Sequence, residues 1–325
     1  MVDGPRRALA SVLAAFAAVA SILVVFATTG QPSARVPHDA AAAPVEPAPA
    51  GWRWEVYGGV EVMVPDDWGH GTTGSPPCLA GEGVEDPPGP GYVGRPGPIP
   101  SIACVGPTVP ELGERSPYLW FDSGAATGVR AHDAGWVEQT RVVGGLSLTV
   151  LSDDSAVRAR VLDSARVARG GCPVEHGISP GPEARPDPGP GGLAALGPVE
   201  SVTVCRYAVG TERPTNGNSL LSAGQLSEKD APDVVRKILA APAGTGPNEP
   251  QNCISEVAYG DEVLLLLVRD GERTQEVFVR YHGCDGHGFD DGQTHRHLTA
   301  DSLAPLLAGQ HRPSVLDGAV ADLVW

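Results

Sequence analysis

Residues 8–29, ALASVLAAFAAVASILVVFATT, constrain the chain more than any other stretch, because they decide on which side of a membrane the rest folds. The run has 22 residues and no charge. As a helix rising ~1.5 Å per residue it reaches roughly 33 Å, enough to span a bilayer core. Arg6 and Arg7 precede it and the next charged residue is Arg35, so the expected orientation keeps the N-terminus inside and sends the remainder outside. Two fates stay open. Length favours an uncleaved anchor; cleavage as a signal peptide would fall after Thr29 or after Ala34. Residues 1–7 are too short to carry a signal by themselves. The first cysteine is Cys78, so no lipid-modified N-terminal cysteine is expected.

Export determines how the six cysteines are read. In an oxidising compartment they imply three disulfides, and six cysteines allow 15 pairings. Sequential pairing is preferred: Cys78 with Cys104, Cys172 with Cys205, and Cys253 with Cys284. Each closes a loop of ~25–35 residues, worth about 3–4 kcal/mol in the chain-entropy model. No pair has the C-x-x-C spacing of a redox or zinc site.

The formal charge is −16, and the exported part is more acidic still because residues 1–34 carry a net positive charge. With no basic run, this surface speaks against nucleic acid and against anionic lipid headgroups. The 42 glycines and 32 prolines make a loop-rich chain, while an apolar fraction of 42% argues for folded domains.

The expected class is α+β: two small domains, each an antiparallel sheet with a packed helix, behind the N-terminal membrane helix. Residues 1–29 are the anchor or signal sequence, and 30–50 an Ala/Pro-rich spacer. Residues 51–171 form the first domain, 172–198 a Pro/Gly-rich linker, and 199–325 the second domain.

Two hairpins are specific enough to predict in register. In WRWEVYGGVEVMVP, a two-residue Gly58-Gly59 turn pairs Trp54 with Met63 and Val56 with Glu61, mixing faces. A three-residue turn from Tyr57 pairs 56 with 60, 54 with 62 and 52 with 64, all apolar, and is the expected register. For the strands at 262–269 and 275–282 the expected pairing is 267 with 277, 265 with 279 and 263 with 281, around a loop at 270–274. Val268, Leu266 and Leu264 fill the other face, so the first of these strands should be buried on both sides. Further strands are expected at 118–121, 136–143, 146–151 and 201–209. A helix from about 153, capped by Ser152 or Asp153, should run to Gly170-Gly171 with Arg166 and Arg169 in its last turn. A second should start at Asp230, which keeps Pro232 in the first turn, and a third at Thr299.

The order of Tyr57-Gly-Gly-Val-Glu-Val-Met-Val-Pro-Asp-Asp-Trp68, long loops, a strand pair and a terminal Val161-Leu-Asp-Ser-Ala165 helix resembles the secreted PsbP-like or LpqN-type α/β sandwiches across 52–168. It is also similar to uncharacterised exported actinobacterial proteins. The resemblance implies small non-catalytic envelope or accessory domains and supplies no catalytic residues.

The densest polar cluster lies at residues 282–297. His295 and His297 would share one face of a strand, with His287 nearby, as zinc-binding histidines do. The competing reading is an exposed Gly/Asp turn after a disulfide. Asp66 and Asp67 beside Trp68 read as a turn over a core indole, and Asp153-Asp154 as helix-start residues. Neither S-x-x-K nor H-E-x-x-H nor a Walker sequence occurs.

The expected function is therefore a non-catalytic, membrane-anchored extracytoplasmic binding or accessory module of the cell envelope, needing no cofactor and contacting another envelope protein. The alternatives are a secreted metal-dependent hydrolase using residues 282–297 and a ligand-sensing ectodomain. Peptide mapping without reduction should recover the three sequential cysteine pairs, Cys78 with Cys104 included; a crossed pair such as Cys104 with Cys172 overturns the pairing.

Overall fold

The computed structural model describes residues 46–71, 90–96, 116–179, 181–210, 213–254, 258–313, 316 and 318–324. The apolar run 8–29, Cys78 and Cys104 lie outside them. Among the described residues no helix is long and apolar enough to cross a membrane. The described residues form one compact unit of α+β class, rich in antiparallel pairing and poor in helix.

In chain order the first elements are β1 (Trp52–Tyr57), β2 (Val60–Pro65), β3 (Gly69–Gly71), β4 (Tyr92–Gly94) and β5 (Tyr118–Phe121). They are followed by β6 (Gly128–Ala131), β7 (Val137–Val143), β8 (Leu146–Ser152), α1 (Ser155–Ser164) and β9 (Arg166–Val167). The remainder comprises β10 (Ser201–Ala208), β11 (Leu220–Gln225), α2 (Asp230–Ala240), β12 (Glu262–Arg269) and β13 (Thr274–Arg280). β14 (Gly288–Asp290), β15 (His295–Arg296), α3 (Ala300–Leu303) and α4 (Gly318–Val324) complete it. Among the described residues these strands make three sheets, ordered β1-β2-β9, β3-β4-β5-β8-β7-β6 and β11-β10-β12-β13-β14-β15.

The first hairpin corrects the sequence reading. Tyr57 pairs with Val60, Glu55 with Val62 and Arg53 with Val64, so the turn is the two residues Gly58-Gly59. Both glycines have positive φ, 55° and 72°. Two successive left-handed residues match the right-handed twist of a hairpin, and glycine reaches them without a Cβ clash. Turn geometry therefore outweighed the matching of apolar faces. The consequence is that Glu55 shares a face with Val60, Val62 and Val64, all fully buried.

The β12–β13 hairpin is also one residue from expectation: Leu267 pairs with Glu276, Leu265 with Phe278 and Arg269 with Thr274. Its loop is 270–273. The Asp270 carboxylate accepts from the Arg273 backbone N (2.9 Å) and from Gly197 N (2.8 Å), which closes a four-residue turn. β12 is buried on both faces, as its composition requires.

Helix limits also shift. Asp154, not Ser152 or Asp153, caps α1 through the N–H groups of Ala156 and Val157. α1 ends at Ser164, because Arg166 and Val167 leave it to pair with Glu61 and Val60 of β2. α2 starts at Asp230 as expected, with Pro232 in its first turn, and the Ser227 hydroxyl accepts from Asp230 N (3.2 Å) while the Ser227 carbonyl accepts from Ala231 N (3.0 Å). The Thr299–Ser302 capping box opens α3 as expected.

Cys172–Cys205 and Cys253–Cys284 are both formed, each with Cα atoms 5.7 Å apart. Among the described residues three large apolar clusters and a small one around Trp136 hold the unit. One joins Val62, Leu119, Phe121, Leu148 and α1 residues Val161 and Leu162 to Ala208 and Leu221. A second places α2 residues Val234, Val235 and Ile238 on Val204, Leu266 and Val277. The third lies on the opposite face of β12 and brings Val56 against Cys205, Tyr207 and Phe278. Two clusters thus combine residues from both sides of segment 172–198.

A polar clamp reinforces this union. Asn216 Nδ2 donates to the carbonyls of Gly58 (2.8 Å) and Gly144 (2.9 Å), holding the tips of two hairpins at once. Gly58 N donates to Leu220 O at 2.7 Å. Asn216→Ala should cost about 1–3 kcal/mol, read from chemical denaturation at neutral pH.

Candidate functional site

The register of β1 carries a carboxylate into the core, and a charge there must be paired. Glu55 is 1% exposed. Its Oε1 accepts from Arg53 Nε at 2.6 Å and from His70 Nε2 at 2.9 Å, in the tautomer protonated on that atom. Its Oε2 accepts from Arg95 Nη2. Arg53 lies two residues earlier on the same face of β1 and also holds the carbonyls of Pro65 and Asp66. His70 comes from β3. Arg95 directly follows β4 and stacks on Phe121, 5.4 Å from the ring centroid. One carboxylate therefore ties the first hairpin to the edge of the six-stranded sheet.

Burial by itself raises the pKa of Glu55, but Arg95, His70 and Arg53 outweigh it and hold the carboxyl well below the usual range. Burial also draws Arg95 down from its ordinary value, against the pull of Glu55, and the guanidinium remains charged at neutral pH.

A second polar group faces this one across the seam between β1 and β11. Val56 N donates to Gln310 Oε1 at 3.1 Å, and Ser222 Oγ shares a 2.8 Å hydrogen bond with His311 Nδ1. Arg206 Nη1 donates to Arg312 O at 2.9 Å and lies 3.5 Å from Glu262 Oε2, which also accepts from Tyr281 OH at 2.6 Å. His311 has its pKa pushed down to about 3, first by burial and then by Arg206 and Arg95. The Nε atoms of Arg95 and Arg206 are buried without a hydrogen-bond partner among the described residues.

This arrangement is a set of internal ties rather than an exposed reaction centre. Ser222 is fully buried, and both oxygens of Glu55 are occupied. Sequence reasoning missed the site because the expected register turned Glu55 outward. The available signal was the Gly58-Gly59 pair itself, whose two-residue turn places Glu55 in line with three buried valines.

The histidines expected at residues 282–297 have separate environments. His287 is buried, donates from Nδ1 to Pro247 O, and takes Asn248 Oδ1 on its backbone N. β15 ends at Arg296, so His297 lies beyond the strand, its N–H on Pro242 O. His295 Nε2 lies 3.6 Å from Asp290 Oδ2. Among the described residues no group of three His, Cys, Asp or Glu is placed to hold a metal ion.

The acids of that region fasten segment 185–193 instead. Arg185 makes a two-pronged contact with Asp290, Nη2 to Oδ1 at 2.6 Å and Nε to Oδ2 at 2.9 Å. Asp291 accepts from the backbone N of Leu193 (2.9 Å) and Thr294 (2.6 Å). Trp68 is buried in the core cluster behind Asp66-Asp67, and Trp52 and Trp54 are stacked by Arg160 and Arg166. The stretch Gly177-Ile-Ser-Pro-Gly181 matches the G-x-S-x-G pattern, a motif the sequence reading wrongly held to be absent. Ser179 belongs to no strand or helix and donates to Glu183 Oε1 at 3.3 Å, unlike a nucleophile at a strand–helix elbow.

No family model matches the chain, and no curated protein or solved structure matches it.

Removing the central carboxylate leaves Arg95 buried and unpaired, so Glu55→Ala should cost about 3–5 kcal/mol in chemical denaturation. The wild type should lose stability in acid. The unfolded chain takes up a proton at His311 as pH falls below 6.5, and at Glu55 below 4.5, before the folded one does. Unfolding free energy measured from pH 8 to pH 4 should therefore fall steadily, with the slope steepening below about 4.5.

Proposed function

We propose that the chain is a non-catalytic extracytoplasmic binding or accessory module of a cell envelope, carried to the membrane by an N-terminal helix over 8–29. The reading keeps the likeness of residues 52–168 to secreted PsbP-like and LpqN-type domains, and takes another envelope protein as the partner. The observation that carries it is the use made of the reactive side chains. Glu55, Ser222, Asp290 and Asp291 are each bound to other parts of the chain, joining elements far apart in sequence. Two disulfides favour an oxidising compartment, and the acidic surface favours a partner that is not nucleic acid.

A metal-dependent enzyme at residues 282–297 is the second reading. It draws on one feature: His287 Nε2 is buried with no hydrogen-bond partner among the described residues.

Both are tested with the full chain expressed in a bacterium. Protease added to intact cells or spheroplasts should digest the folded part, and the protein should sediment with membranes. A protease-resistant cytoplasmic protein overturns the first reading. Stoichiometric zinc that is lost from the variant His287→Ala with His295→Ala and His297→Ala moves the assignment to the enzyme.

A further inference from the structure

The turn at Gly309–His311, together with Arg312, crosses the seam between the two large strand systems. It holds the unpaired edge of β1 through Val56 N to Gln310 Oε1 (3.1 Å), β11 through Ser222 Oγ to His311 Nδ1 (2.8 Å), and β10 through Arg206 Nη1 to Arg312 O (2.9 Å). Its seat on β11 is made by an absent side chain. A Cβ at Gly224 would stand 2.9 Å from His311 Nε2 and 3.1 Å from Gln310 Nε2. Gly309 in turn approaches His70, the histidine bound to Glu55.

We propose that residues 309–312 are an acid-released strap: protonation of His311 detaches the turn from β1 and β11 and opens the seam that covers Glu55, Arg95 and Arg206. The imidazole is buried, and two guanidiniums face it, Arg206 from β10 and Arg95 from beyond β4. Glu55 on β1 opposes them, and His70 on β3 adds to them. Glu262 is drawn to Arg206 and to Tyr281 OH, and Ser222 is a neutral partner from β11. Cationic His311 therefore enters a pocket already holding two buried cations, one of them fully shared with Glu55. The detached strap places the same imidazole in water, where it protonates freely. Acid selects the detached form, and the strap closes again when the pH is raised.

The test is hydrogen exchange of the full chain followed by mass spectrometry at pH 8 and pH 5, with rates corrected for the intrinsic pH dependence of exchange. Protection of peptides covering 306–313 and of β11 should fall by about 30-fold between the two conditions, the ratio set by a histidine of ordinary affinity in the open form. The β12–β13 hairpin should stay better protected than the strap at both pH values, its protection falling only as the global stability does. His311→Gln should lose the pH dependence. Equal strap protection at both pH values, strap protection as high as that of the β12–β13 hairpin at pH 5, or a pH-dependent strap in His311→Gln each overturns the proposal. Should His311→Gln fail to fold, histidine NMR of the wild type decides. The imidazolium signal of His311 must grow in step with exchange of the strap, and loosening while His311 stays neutral overturns the proposal.

Discussion

The interaction on which the rest depends is the burial of the Glu55 carboxylate among Arg95, Arg53 and His70. A carboxylate taken from water costs several kcal/mol unless charged donors surround it. Here the donors arrive from β1 itself, from β3 and from the residue after β4, so satisfying one charge fixes the mutual placement of three strands. The apolar cluster around Val62, Phe121 and Leu148 then closes over the pair. Replacing the network with aliphatic residues would keep the burial but lose the directional constraint, since apolar contacts define no unique register.

The same logic recurs at the other polar positions. Asn216 grips two glycine turns, Arg185 docks a proline-rich segment onto Asp290, and Asp270 closes the β12–β13 loop while receiving Gly197 N. In a chain so rich in glycine and proline, long loops have little apolar surface to bury. Side-chain hydrogen bonds to their backbone supply the order that packing does not. The two disulfides act at the same places: Cys172–Cys205 pins the start of the 172–198 segment to β10, and Cys253–Cys284 holds the loop before β12 to the one after β13.

Much of the element structure was legible. The strand at Tyr118–Phe121, the Gly144-Gly145 turn, the doubly buried β12, the capping box at Thr299 and the sequential pairs Cys172–Cys205 and Cys253–Cys284 all follow from local pattern. Both hairpin registers were displaced by one residue for a common reason. Matching apolar faces treats a buried polar group as an error, whereas the structure buries Glu55, Arg280 and Gln275 with partners from distant segments. α1 was extended too far in the same way. Arg166 suits a helix C-terminus in isolation, but Glu61 and Glu46 draw it into a strand stacked on Trp54.

Local chemistry in the sequence determines the α+β class, the strands, the turns that require glycine, and the cysteine pairs that can close. Those properties depend on neighbours along the chain, through backbone sterics, capping and periodicity. Tertiary structure alone decided that Glu55 faces inward, that His311 lies over Gly224 beside Arg206, and that Asp290 and Asp291 bind the segment at 185–193. Each of these rests on a partner fifteen to more than a hundred residues away. The desolvation cost that makes the pairing obligatory exists only once both partners are buried together.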